Sequence, residues 1–215
     1  MVDVDVLART HNAYYQPLLL RELPPSCERA LDVGCGAGDF AARLAARAAH
    51  VDAVDRSAVM VEQARARVPA NVTCTEADIL THPLPAGGYD AITSISVLHH
   101  LPLEVVLPRL AAALRPGGVL VATALPRADL PRDLPLEALS VTANLARRGL
   151  LAALAATRLR PAEPPDDDLM PVADPELTLR QVRAQARAAL GPDVVVRRLL
   201  LWRYLLVWRR PAGTP

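Results

Sequence analysis

Asp32-Val33-Gly34-Cys35-Gly36-Ala37-Gly38 is the most informative segment of this 215-residue sequence. It follows the apolar run of residues 30–33, which is predicted as a strand, and precedes an Ala-, Leu- and Arg-rich helix predicted over residues 40–49. A glycine-rich turn between a strand and a helix lets a ligand approach the backbone closely, at the positive end of the helix. The segment therefore indicates a small-molecule site at the first turn of a βαβ unit.

The spacing of the glycines and acids distinguishes two classes of ligand. A dinucleotide fingerprint, G-x-G-x-x-G, would have its third glycine at Asp39, and a carboxylate there would face a pyrophosphate. NAD and FAD are therefore disfavoured. Asp32 suits a ligand ammonium, and Asp55, 21 positions after Gly34, can accept hydrogen bonds from two ribose hydroxyls. Taken singly, either aspartate could instead be a helix cap or part of a solvated turn.

Outside this segment, short β-like runs alternate with helical ones, as in a parallel α/β sheet. Ser57 is a candidate N-cap for a helix that reaches Val68, and a helix after Pro102 must begin late or kink because Pro108 lies inside it. A helix predicted over residues 177–190 ends at Gly191-Pro192. Further strands are predicted over residues 51–55, 72–75, 89–95 and 119–124, with two more within 194–209 that join near 201–204.

Composition and charge exclude several classes of function. The 24 basic residues are all Arg, so no lysine can form a Schiff base or a P-loop, and the net charge of +1 gives no footprint for nucleic acid or an anionic membrane. Three cysteines without C-x-x-C spacing argue against a zinc site or disulfide framework, and no metal is expected. The acidic N-terminus and the lack of an apolar run of about 20 residues predict a cytoplasmic protein. Oligomeric state stays open.

The sequence predicts a single domain over residues 1–215 with a cap segment at residues 126–175 and an N-terminal helical lid at residues 1–27. The cap segment is proline-rich and contains a helix predicted over residues 136–159, with an apolar face formed by Leu139, Ala143, Ala146 and Leu150. It is too structured for a linker, which favours a cover over a substrate pocket. The alternative is a solvated connection without function. Asp166–Asp168 is interpreted as a solvated acidic run rather than a metal site.

Five motifs together resemble the class I S-adenosylmethionine (SAM)-dependent methyltransferases. They are Asp32–Gly38, Asp55, Glu76-Ala-Asp78, Tyr89-Asp-Ala-Ile92 and Leu114-Arg-Pro-Gly-Gly118, in the family's order and spacing across roughly residues 28–125. The sequence is most similar to the small-molecule branch, which includes ubiquinone/menaquinone-type and actinobacterial enzymes. The closing Leu201–Trp208 also resembles the terminal hairpin of the actinobacterial proteins. The resemblance implies a Rossmann-like seven-stranded sheet of order 3-2-1-4-5-7-6, with strand 7 antiparallel, helices on both faces and a helical cap insert.

The resemblance also implies a SAM site, with S-adenosylhomocysteine as product. Asp32 and the loop of Gly34, Cys35 and Gly36 would hold the methionine end, and Asp55 would hold the ribose. The remaining contacts are expected from Arg56 and Ile79 on the adenine ring, Asp78 on its amino group, Ser94 and Ile95 through the backbone, and Tyr15 from the leading helix.

Two histidines after the fourth strand, His99 and His100, are the candidate catalytic bases. A base is needed only where the nucleophile must lose a proton. Because the two are adjacent, they are not expected to point into the pocket together, and either could instead order the loop through a backbone hydrogen bond. Ser96 stands where relatives with a catalytic acid or amide carry Asp or Asn. Trp202, Arg203 and Trp208 are assigned no chemistry.

The sequence thus predicts transfer of a methyl group from SAM to an O, N or C nucleophile of a small molecule, mainly through in-line positioning. A SAM-binding protein without catalysis is the alternative from another class. A nicotinamide-dependent oxidoreductase is disfavoured by Asp39. No nucleic-acid or membrane partner is expected.

Overall fold

The computed structural model describes residues 11–130, 132–156 and 174–212, which form one sheet with helices on both faces. The elements in chain order are α1 (His11–Glu22), β1 (Arg29–Val33), α2 (Asp39–Leu44), β2 (His50–Asp55), α3 (Ala58–Arg67), β3 (Val72–Glu76), β4 (Tyr89–Ile95), a 3₁₀ turn (Leu98–His100), α4 (Leu103–Ala113), β5 (Leu114–Ala124), α5 (Leu134–Ala156), α6 (Leu179–Leu190), β6 (Val195–Arg198) and β7 (Tyr204–Arg209).

The sheet has seven strands in the order β3-β2-β1-β4-β5-β7-β6, which confirms the predicted topology. Strands β1 to β5 are parallel, whereas β7 is antiparallel to β5 and to β6. The carboxyl ends of β1 to β5 therefore lie at one edge of the sheet, and the turn before β7 lies at that same edge. In open α/β sheets, ligands bind beyond this edge.

Local sequence explains where the helices begin. Ser57 caps α3, accepting from the Met60 backbone N–H at 3.4 Å, as predicted. Thr178 caps α6 with a full capping box to Gln181, and Gly191 ends that helix. Helix α4 begins at Leu103 with Pro108 inside it, so of the two predicted alternatives the late start is excluded and the kink stays a prediction. Pro108 has no N–H to donate to the Glu104 carbonyl, so one helix hydrogen bond is missing. Both residues are exposed, so water can bond to this carbonyl and the loss of stability is small.

Two predicted boundaries are corrected. The helix after the glycine turn ends at Leu44, because residues 45–48 continue as turns, including a bond from the Ala46 N–H to the Arg43 carbonyl. Strand β5 begins at Leu114 rather than Val119, since its first residues already follow β4, with an irregularity in register between Tyr89 and Ala91. Gly117, at a φ of 79°, falls inside this longer strand.

Ala, Leu and Val build most of the core on both faces of the sheet. On one face, α4 and α6 pack together through residues such as Leu107, Leu110 and Val182. On the other face, α1, α2 and α3 cover the sheet through Leu19, Leu44 and Ala64, among others. All of these side chains are buried, so the sheet is packed between two layers of helices.

The two ends of the cap segment meet in a hydrogen-bonded stem. The Arg127 N–H donates to the Leu177 carbonyl at 2.8 Å, and Arg127 pairs with Thr178 as a parallel β-bridge. Between them, Asp133 forms an ion pair with Arg198 of β6 at 3.2 Å. Asp166–Asp168 and the Pro161–Pro165 cluster lie outside the described residues.

The face of α5 that was predicted to be apolar and covered is partly exposed. Leu139 is 52% exposed and Ala146 is exposed, whereas Ser140 is buried. Within the described ranges, no helix has both the length and the apolar character needed to cross a membrane.

Candidate functional site

A cavity of about 390 Å³ lies along the carboxyl edge of the sheet. Its wall runs from the segment after β3 to the turn before β7. Eight of the residues predicted for the site line it: Gly34, Asp55, Arg56, Asp78, Ile79, Ile95, His99 and His100. The other five, Tyr15, Asp32, Cys35, Gly36 and Ser94, lie outside this wall.

The glycine loop packs tightly on one side and is open on the other. Gly34 has a φ of 73°, and its N–H donates to the Val54 carbonyl at 2.7 Å. A Cβ at Gly34 would overlap the Val97 side chain. A Cβ at Gly36 would meet nothing within 4 Å. The loop therefore leaves the backbone of Gly36 accessible while Gly34 fixes its turn.

Asp55 ties the glycine loop to the end of β2. Its Oδ2 accepts from the Gly36 N–H at 2.8 Å, and its Oδ1 accepts from the Ser57 N–H at 2.9 Å. Each carboxylate oxygen has a second lone pair. Asp55 can therefore accept further hydrogen bonds from a ligand while it holds both backbone groups.

Asp32 is buried beneath the glycine loop. Thr93 Oγ1 donates to its Oδ1 at 2.9 Å, while Oδ2 has no hydrogen-bond partner among the described residues. Burial raises the pKa of Asp32 to about 7, the Thr93 hydrogen bond opposes that rise, and the charge of Asp55 adds to it. A buried acceptor without a hydrogen bond lowers the stability of the folded protein, unless a donor from a ligand reaches it.

Three other predicted residues use their side chains within the protein. Ser94 Oγ donates to the Val33 carbonyl at 3.1 Å, and the Cys35 sulfur lies 3.7 Å from the Gly36 carbonyl. Burial raises the pKa of the Cys35 thiol, so it is not a thiolate. The Tyr15 hydroxyl donates to the Leu200 carbonyl at 2.6 Å, in the turn between β6 and β7. Contact between Tyr15 and the cofactor stays a prediction.

Asp78 and Ile79 follow β3 and form the far end of the cavity. Asp78 is exposed and Ile79 is buried, and the Asp78 Oδ1 accepts from the Leu80 N–H at 2.8 Å. Arg56, also exposed, lines the same end directly after Asp55. This end thus offers two carboxylates and an apolar surface, a combination that suits a nucleoside.

His99 and His100 both belong to the cavity wall; that their side chains do not point into it together stays a prediction. They lie in the 3₁₀ turn, with ring centroids 3.9 Å apart. Burial, His100 and Arg203 lower the pKa of His99 to about 3, and burial and Arg56 lower that of His100. Both are therefore neutral at neutral pH. Neither Nδ1 bonds to any described residue, so neither orders the loop through that atom.

Arg203 is a cavity residue to which the sequence analysis assigned no chemistry. It lies at the end of the β6–β7 turn, beyond Leu201 and Trp202, whose φ values are 54° and 59°. Since β7 is antiparallel to β5, this turn reaches the ligand-binding edge. The sequence analysis predicted that strand 7 is antiparallel and that the last two strands join near residues 201–204. Together, these two predictions place Arg203 at the carboxyl edge of the sheet.

Comparisons with known proteins agree with this geometry. Residues 30–118 match the family model described as a methyltransferase domain. An uncharacterized methyltransferase of Mycobacterium tuberculosis is 34% identical over 204 residues, covering 93% of this chain and 96% of the relative. Trans-aconitate 2-methyltransferase of Methylobacterium radiotolerans is 42% identical over 106 residues, covering 47% of this chain and 40% of that enzyme.

Solved structures share the fold. The Haemonchus contortus phosphoethanolamine N-methyltransferase 2, in complex with phosphomonomethylethanolamine and S-adenosylhomocysteine, aligns with a TM-score of 0.64 at 18% identity. The alignment covers 92% of this chain and 52% of that one.

Proposed function

Because this chain belongs to the class I SAM-dependent methyltransferases, with SAM as cofactor, we propose that it methylates an O, N or C nucleophile of a small-molecule acceptor. The observation that carries the proposal is the cavity at the carboxyl edge, which joins an end with two carboxylates and an apolar surface to a second end beyond β4. The relative named for trans-aconitate supports a small organic acceptor rather than a macromolecule.

The residues at the glycine loop fit the cofactor. The free Oδ2 of Asp32 would accept from the ammonium group, and the open side of Gly36 leaves room for the methionine portion beside Gly34 and Cys35. Asp55 has lone pairs left for the ribose hydroxyls. At the far end, Asp78 would accept from the adenine amino group, Ile79 and Arg56 would lie against the ring, and Ser94 and Ile95 would contribute backbone groups.

When bound, SAM supplies a methyl group on a positively charged sulfur, which becomes the neutral thioether of S-adenosylhomocysteine once the acceptor nucleophile has taken the methyl. The protein contributes mainly position: the glycine loop and Asp55 hold one end, and the wall beyond β4 holds the acceptor in line. Where the acceptor must lose a proton, the neutral rings of His99 and His100 can take it at a nitrogen. With a pKa of about 3, His99 is a weak base.

We propose that the cap segment, residues 126–175, and the lid, residues 1–27, cover the acceptor. Leu125, where the chain leaves β5 toward the cap segment, already lines the cavity. Covering it would exclude water, which favours transfer over hydrolysis.

Calorimetry and product analysis test the proposed function. SAM and S-adenosylhomocysteine should bind with micromolar affinity, roughly 8 kcal/mol, and NAD should not. Isotope-labelled SAM incubated with pooled small-molecule nucleophiles should yield labelled organic products. Tight NAD binding without SAM binding would overturn the proposal, and SAM binding without transfer to any acceptor class would favour a silent binding protein.

A further inference from the structure

Gln16 on α1 has a buried oxygen that accepts no hydrogen bond. The residue is 5% exposed, and its Oε1 has no partner among the described residues. An acceptor that is buried without a donor lowers the stability of the folded protein. Such a group in a native structure needs an explanation, and a ligand that supplies the donor is one.

Helix α1 brings Gln16 close to the ligand-binding edge of the sheet. The Tyr15 hydroxyl bonds to Leu200, in the turn at the carboxyl edge. The Glu22 carbonyl, at the other end of α1, accepts from Arg209 at the end of β7. The helix therefore runs from the carboxyl edge toward the opposite edge, and Gln16 lies in its first two turns, beside Tyr15.

Gln16 and Asp32 lie on the same side of the sheet. Leu19, three positions after Gln16 and thus on the same helix face, packs with Val121 of β5. Val121 is the register partner of Thr93, which in turn is the register partner of Asp32. Register partners point to the same face of a sheet, and the hydrogen bond between Thr93 and Asp32 agrees with this. Both side chains are therefore on the side that α1 covers.

The glycine loop lies next to this layer. Phe40, the second residue of the helix after the loop, belongs to the same packed cluster as Leu19 and Val121. Ile95, part of the cavity wall, packs against that cluster. From Asp32 on β1 to Val121 on β5 there are two strand spacings, about 10 Å. Two buried acceptors without partners therefore lie near the glycine loop, one beneath it and one on α1.

We propose that Gln16 binds the ammonium group of the cofactor, with its Oε1 accepting one N–H while the Asp32 Oδ2 accepts another. This inference rests on the proposed function and adds a residue to its cofactor site. An ammonium group carries three N–H donors and a positive charge, so it can satisfy both acceptors at once. The amide oxygen of Gln16 does this without adding a second carboxylate, whose charge would repel that of Asp32.

Analogues of S-adenosylhomocysteine test the inference. One analogue lacks the amino group and another lacks the carboxylate, and each is titrated calorimetrically with wild type and with Gln16→Met, which keeps an unbranched side chain but has no amide. Gln16→Met should bind S-adenosylhomocysteine and the decarboxylated analogue about tenfold more weakly, the size of one charged hydrogen bond. Its affinity for the deaminated analogue should stay within about twofold of wild type.

Thermal melting without ligand adds a readout that a purely structural role would move in the other direction. Because Gln16→Met removes a buried acceptor that has no partner, the variant should melt about 2–4 °C higher than wild type. Weaker binding would then accompany higher stability. A side chain that only supports the fold would instead lower the melting temperature when it is replaced.

Gln185→Met is the matched control. The Oε1 of Gln185 is also buried without a partner among the described residues, but α6 packs on the other face of the sheet and Gln185 lies outside the cavity wall. This variant should bind S-adenosylhomocysteine and both analogues as wild type does.

The outcomes separate this inference from the proposed function. If Gln16→Met binds S-adenosylhomocysteine as tightly as wild type, or loses equal affinity for all three ligands, the inference is overturned while the methyltransferase proposal stands. Failure of wild type to bind SAM or S-adenosylhomocysteine would refute the proposed function itself. If Gln16→Met does not fold, Gln16→Leu takes its place with the same expected pattern of affinities.

Discussion

Asp55 has a structural role besides its proposed contact with ribose. Both of its carboxylate oxygens accept backbone N–H groups, from Gly36 and Ser57, and so fix the glycine loop against α3. From sequence, Asp55 is expected to face the ligand with little effect on folding. The structure instead predicts that replacing it affects both binding and stability.

Asp55→Ala should weaken SAM binding by a few kcal/mol, at about 1.5–3 kcal/mol for each charged hydrogen bond lost. It should also lower the free energy of unfolding by about 1–3 kcal/mol, because two backbone donors lose their acceptor. Calorimetry and thermal melting measure the two effects. Asp55→Asn is the matched control, since it keeps one carbonyl oxygen but no charge. A lower melting temperature with unchanged SAM affinity in Asp55→Ala would leave Asp55 with a structural role alone.

We expect SAM binding to release a proton from the Asp32 carboxyl group. Its pKa of about 7 in the folded protein lies above the ordinary 3.8, so the folded state holds this proton more tightly than the unfolded chain. Stability should therefore fall as pH rises from about 4 to about 7 and then level off. A ligand ammonium beside Oδ2 favours the carboxylate, so binding below about pH 7 should release a proton.

Calorimetry in buffers of different ionisation enthalpy measures this release. We expect proton release at about pH 6 and much less at about pH 8, with affinity weakening by up to about tenfold per pH unit below 7. Asp32→Asn should lack the release. Equal proton release in wild type and Asp32→Asn would show that the proton does not come from Asp32.

At the scale of elements, α5 is the part of the proposed cap that can be tested directly. The stem bond between Arg127 and Leu177 allows residues 130–174 to be replaced by a short Gly/Ser linker without separating the flanking chain. SAM binding should stay close to wild type, because the residues proposed to bind the cofactor lie on other elements. Transfer to the acceptor should be lost, because the proposed cap would no longer exclude water.

This replacement also removes Asp133, the partner of the largely buried Arg198. Asp133→Asn alone therefore serves as the matched control, and its transfer activity should persist. Full activity of the shortened protein would refute the cap and place the acceptor pocket elsewhere.

Elements with strong local patterns were predictable, and those set by tertiary packing were not. Tyr89–Ile95 was predicted with its observed bounds because the glycines before it and its apolar run are local features. The end of α2 and the start of β5 depend on neighbouring chain segments, which a single sequence does not display. Helix α4 tolerates Pro108 because that residue is exposed, and periodicity alone does not settle this tolerance.

At the scale of the whole molecule, the sheet order followed from the family resemblance and is confirmed. Gly34, Asp55 at the end of β2 and Asp78 after β3 were predicted for the site and line the cavity, because strand ends can be located in the sequence. Arg203 was missed because its place in the cavity comes from a hairpin far along the chain. The place of both His99 and His100 in the cavity wall depends on a 3₁₀ turn that adjacency alone does not indicate.

The stem at Arg127 and Leu177 makes the length of the cap segment nearly neutral for folding. Once the two ends are hydrogen-bonded, the entropy of closing the intervening loop grows only with the logarithm of its length, about 0.6 kcal/mol for each doubling. Insertions and deletions between these residues therefore cost the sheet little. Over evolutionary time, the cap segment can therefore change in length and sequence while the sheet that carries the glycine loop stays as it is.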